Sequence, residues 1–84
     1  MTYKASKANR KNKTKMIRDS IITDLKNLVE EVDHREMMYN LRSEDWQLSL
    51  RGKRHGEVTT CLECAIDLLG EALFEMNYAL GELT

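Results

Sequence analysis

Proline is absent from the 84-residue chain, and with hydrophobic residues at 42% this favours a helical globular unit over disorder or a β-sandwich. Nowhere do about 18 apolar residues run together, so no segment spans a bilayer as a helix. No apolar stretch follows the basic start, so that start is not a signal peptide. Only two cysteines occur, three apart in CLEC, too few for a secreted disulfide framework. The expectation is a soluble, cytoplasmic protein of one small domain. A chain this short buries a modest share of its surface, which calls for a partner or an identical subunit.

Charge of one sign is missing from each end. No acid precedes Asp19, whereas Lys4, Lys7, Arg10, Lys11, Lys13, Lys15 and Arg18 all do. Beyond residue 55 there is no Lys or Arg, but Glu57, Glu63, Asp67, Glu71, Glu75 and Glu82 all occur. The formal net charge of −1 conceals this polarity. Such asymmetry points to a nucleic-acid-binding arm or to pairing between oppositely charged surfaces.

Two stretches have helical periodicity. Over residues 16–41, Ile21, Leu25, Leu28, Val32 and Tyr39 follow the 3-and-4 spacing of an amphipathic helix, widened by Ile17, Ile22 and Val29, with Arg35 interrupting the stripe. Over 57–83, Val58, Leu62, Ile66, Leu69, Leu73, Met76, Leu80 and Leu83 form a heptad-like seam, flanked by the small Cys61, Ala65, Ala72 and Ala79. Thr60 and Glu63 have the form of a capping box. Each helix spans roughly 39 Å, which predicts an all-α antiparallel hairpin over 16–84. The wide stripes predict its dimerisation into a four-helix arrangement, held chiefly by Leu69, Leu73 and Met76.

Residues 1–15 read as a flexible basic arm. Between the helices, Trp46, Leu48 and Leu50 alternate with polar residues as in a short extended segment, and RGKRHG reads as an exposed turn. Its Arg51, Lys53 and Arg54 form a second basic cluster able to meet phosphates, and the arm adds Ser, Asn and Thr for phosphate oxygens and Tyr3 for stacking on a base. The expected polyanion is nucleic acid, RNA more than DNA, because neither helix has the composition of a major-groove reader. A solubilising tail is the plain alternative for the arm. The acidic series Glu63, Asp67, Glu71 and Glu75 repels itself at i, i+4 and offers a surface to a basic partner, or simply to solvent.

Catalytic and metal signals are weak. Zinc would need Cys61, Cys64, His55 and His34 together, without a second CxxC, so a buried structural Cys61 is the simpler reading. Glu30, Glu31 and Asp33 facing Glu63 and Asp67 would suit Mg²⁺-dependent nucleotide hydrolysis, as in all-α pyrophosphohydrolases, but their ordered Glu-x-x-Glu pattern is missing. No glycine-rich phosphate loop precedes a helix. No cofactor, metal or enzymatic activity is expected.

In length, in the arm KASKANRKNKTK and in the loop RGKRH, the chain resembles the small helical antidefence proteins of T-even-like bacteriophages, in particular the toxin-inhibitory type that neutralises an endoribonuclease and binds RNA. The resemblance implies a non-catalytic, antitoxin-like inhibitor working in the host cytoplasm through a ribonucleoprotein complex. The alternative from the residues alone is a purely protein-binding module that works through its acidic face.

Overall fold

The computed structural model describes the backbone of residues 2–82 and the side chains of residues 10–81. It contains three helices: α1, Thr2–Asn40; α2, Glu44–Leu48; and α3, Leu50–Glu82. The two long helices pack against each other as an antiparallel hairpin, and the described residues contain no strand.

The absence of glycine and proline from residues 2–40 lets α1 run unbroken. The helix therefore starts well before residue 16 and includes the segment expected to be a flexible arm. It stops at Leu41–Ser43, where Ser43 leaves the helical region (ψ 155°) and its hydroxyl accepts from the Trp46 amide at 3.3 Å, capping α2 with Glu44 and Asp45 in the first turn. Six residues on, Ser49 repeats the device: it is extended (ψ 166°) and its hydroxyl accepts from the Gly52 amide at 3.2 Å, opening α3. Two serine caps thus turn the expected extended segment into a five-residue helix. They also turn RGKRHG, expected as an exposed turn, into the first turns of α3.

Partly buried positions mark the contact line. On α1 they are Lys11, Thr14, Arg18, Ile21, Leu25, Leu28, Val32, Arg35 and Tyr39, with steps alternating 3 and 4. The expected apolar stripe is present, and Arg35 lies within it rather than ending it. On α3 the line runs through His55, Thr59, Leu62, Ile66, Leu69, Leu73, Met76 and Leu80. Val58, expected to lead the seam, is 48% exposed, and Thr59, at 7%, takes its place. Leu83 lies outside the described residues.

Arg18 bonds Asn77 and Arg35 bonds Thr59, so the numbers of facing residues sum to 95 or 94. By that register Glu82 stands level with residue 12 or 13, and about ten residues of α1, roughly 15 Å, run past the last described residue of α3. The molecule is 67 Å long and 15 Å across. Its radius of gyration is 19.1 Å, against about 12 Å for a compact chain of this length. The only buried apolar residues among those described are Val32 and Leu80, each 6% exposed. The hairpin therefore has a contact line but no closed core.

Candidate functional site

The basic end of α1 carries the first candidate surface. Arg10, Lys13 and Lys15 are exposed and Lys11 is half-buried. Arg18 is already engaged: its guanidinium donates to Asp19 at 3.1 and 3.2 Å and to Asn77 at 3.2 Å. The Thr14 hydroxyl donates to the Arg10 carbonyl at 2.9 Å, which leaves it a weaker phosphate donor than expected. The side chains of Tyr3, Lys4 and Lys7 lie outside the described residues. Arg18–Asp19 is the only ion pair among the described residues, so Arg10, Lys13 and Lys15 pair with no carboxylate of those residues.

Arg51, Lys53 and Arg54 are exposed on the opening turns of α3. The register sets Lys53 level with residue 41 or 42, so this cluster and Lys15 stand about 40 Å apart. The two basic groups therefore occupy opposite ends of the rod, with acidic α3 between them.

At the turn end a polar and aromatic cluster joins the helices. Arg35 donates from Nε to the Thr59 hydroxyl at 3.0 Å and from Nη2 to the His55 carbonyl at 3.3 Å. The Thr59 hydroxyl in turn donates to the His55 carbonyl at 2.9 Å. His55 Nε2 lies 3.1 Å from the Arg35 carbonyl, which fixes that nitrogen as the donor. Its ring stacks on Tyr39 at 6.0 Å and meets Trp46 edge-on at 5.7 Å, and the Arg42 guanidinium covers Trp46 at 4.3 Å. Gln47 donates to the carbonyls of Tyr39 (2.9 Å) and Arg42 (3.3 Å), closing the end of α1. Cavities of about 250 and 350 Å³ flank this cluster; the smaller is bordered by Glu36 and Glu63 and the larger by His34 and Trp46.

Glu36 and Glu63 are where carboxylates of the two helices meet. Hydrogen bonding to Glu63 raises the Glu36 carboxyl above its ordinary value of 4.5, with desolvation and the charges of Glu63 and Asp33 adding to the rise. Glu63 stands level with residues 31 and 32, so Glu36 meets it from about one helical turn along the rod, and no spacing in the sequence marks the pair. Glu30, Glu31 and Asp33 are exposed at three different angles around α1 and do not converge on Glu63 and Asp67. Among the described residues no group of three or more His, Cys, Asp or Glu could hold a metal ion.

Glu63, Asp67, Glu71 and Glu75 are all exposed. Each step of four residues turns about 40° further round the helix, so the series crosses the outer face of α3 diagonally instead of lining one edge. Exposed Leu68 (65%), Phe74 (73%) and Tyr78 (66%) lie beside it. Leu69, Leu73 and Met76, expected to hold a second subunit, are half-buried in the line against α1. Cys61 and Cys64 are free and exposed, which corrects the expectation of a buried Cys61. That thiol lies one position outside the seam, on the side α1 leaves open.

No known protein family, curated protein or solved structure matches the chain.

Proposed function

We propose that this is a non-enzymatic RNA-binding protein that self-associates as a four-helix assembly and neutralises a protein target within a ribonucleoprotein complex. The observation that carries the RNA-binding part is the overhang of α1 past α3. Ten or so residues of lone helix are marginal in water. The cations at 4, 7, 10, 11 and 15 recur at i, i+3 and i, i+4 and oppose the helix further. A polyanion laid along them relieves the repulsion and releases counterions. The inhibitory role rests on the resemblance to phage antidefence proteins. A second reading, a purely protein-binding module, draws on the acidic diagonal beside exposed Leu68, Phe74 and Tyr78.

The distance between the basic clusters shapes the test. Replacing Lys4, Lys7, Arg10, Lys13 and Lys15 by Gln should abolish binding of a short single-stranded RNA and leave helicity intact. Replacing Arg51, Lys53 and Arg54 by Gln should matter only for RNA long enough to reach both ends. Unchanged RNA affinity after the first set of substitutions, with loss of a protein partner instead, replaces the proposal by the protein-binding reading.

A further inference from the structure

The line facing α1 is not the only heptad line on α3. One position earlier in each step, Val58, Cys61, Ala65, Leu68, Ala72 and Ala79 recur at the same alternation of 3 and 4, broken only by Glu75. All of them are exposed except Ala65, which is half-exposed. We propose that this second line is the surface on which α3 of a second copy packs, antiparallel and centred on Leu68.

The area argues for an occupant of this size. The chain exposes 6781 Å², whereas a compact protein of 9.8 kDa exposes about 5,200 Å². The excess, about 1,600 Å², is twice the roughly 800 Å² each partner buries in a standard interface. The residue types argue for a helix as the occupant. Alanine every seventh residue, at 65, 72 and 79, lets helix axes approach to the lower end of the usual 8–10 Å.

The pattern also specifies a second α3 and its direction. The line is symmetric about Leu68: Val58 mirrors Ala79, Ala65 mirrors Ala72, and Cys61 mirrors Glu75 to within one residue. Running α3 against itself in reverse sets Ala65 opposite Ala72, Val58 opposite Ala79, and the lone acid Glu75 opposite Cys61. It also sets Arg54 level with position 82 of the other copy, an acid in the sequence. A parallel pairing sets Glu75 on Glu75 and Arg54 on Arg54, two like-charge contacts that the antiparallel pairing avoids. The helix dipoles also favour the antiparallel arrangement.

This inference rests on the self-association part of the proposed function, and the experiment separates the two. Light scattering on the full chain at micromolar concentration should give the dimer mass, and Ala72→Arg should shift it to monomer with helicity retained. In a Cys61→Ser/Cys64→Ser background, Leu68→Cys should form an interchain disulfide under mild oxidation, since residues at the axis lie within disulfide reach, while Val29→Cys on the opposite flank should not. A monomeric wild-type chain overturns both the dimer and this seam. A dimer that survives Ala72→Arg and cross-links through Val29→Cys but not Leu68→Cys overturns the seam alone. RNA binding, read separately, remains a property of the α1 end in either case.

Discussion

Replacing Gly52 by alanine should destabilise the hairpin, although the substitution lies inside a helix where alanine is normally the better residue. A Cβ on Gly52 would stand 2.2 Å from the Trp46 carbonyl oxygen, 2.6 Å from that of Gln47 and 2.8 Å from the Gln47 carbonyl carbon. These are backbone atoms and cannot rotate away. Relief requires α2 and the start of α3 to part, which pulls Ser49 off its cap and Trp46 away from His55 and Tyr39. Such overpacking costs about 1–3 kcal/mol, against the ~1 kcal/mol by which alanine improves on glycine in a helix. The net effect is a loss of up to about 2 kcal/mol. Gly70 is the internal control: it is helical and exposed, and nothing lies within 4 Å of its added Cβ. Gly70→Ala should gain about 0.5–1 kcal/mol, a rise of a few degrees in Tm for a domain of this size. Thermal unfolding by circular dichroism, at one fixed protein concentration so that any association contributes equally to each Tm, reads both. Equal stabilisation by the two substitutions would refute the reasoning and the close approach of α2 to α3.

Thr59→Val keeps the shape of the buried side chain but leaves the Arg35 Nε donor without its acceptor, and should cost about 1–2 kcal/mol in chemical denaturation. Glu36 has a raised folded-state value, so its stabilising contribution is present in acid and is lost as pH rises through that value; Glu36→Gln should therefore raise stability at neutral pH relative to the wild type and remove the wild type's relative gain on acidification from neutrality towards pH 4.5. Replacing Cys61 and Cys64 by Ser should leave RNA binding unchanged, because both thiols are exposed and far from the basic end of α1; stoichiometric zinc in the purified protein would contradict that view.

The long periods were legible in the sequence because each helix buries one stripe, and the stripe on α1 from Ile21 to Tyr39 needs no partner to be seen. What joins the stripes was not. Arg35 looks like an interruption until Thr59 and the His55 carbonyl are placed opposite it, 24 and 20 residues onward. Hydrophobicity selects Val58 over Thr59 as the first seam residue, whereas the register selects Thr59. Glycine misled in a different way. Gly52 and Gly56 suggest a turn by composition, yet both are helical, and Gly52 is small because the carbonyls of Trp46 and Gln47 crowd it. Ser43 and Ser49 held the true boundaries, and their caps were there to be read. By its charge the basic segment reads as a flexible arm, whereas its lack of glycine and proline permits the helix that α1 forms.

The central claim, that the end of α1 is built for a polyanion, is tested most directly by the salt dependence of RNA binding. For the full chain titrated with a short single-stranded RNA, each phosphate neutralised contributes about −0.7 to the slope of log K against log salt. The basic end offers Lys4, Lys7, Arg10, Lys11, Lys13 and Lys15, with Arg18 engaged elsewhere. Four to six contacts predict a slope of about −3 to −4 that is the same for unrelated sequences, because phosphate contacts position without reading bases. A slope near zero, or no binding at low salt, would contradict the account and leave the acidic and apolar faces of α3 as the working surface.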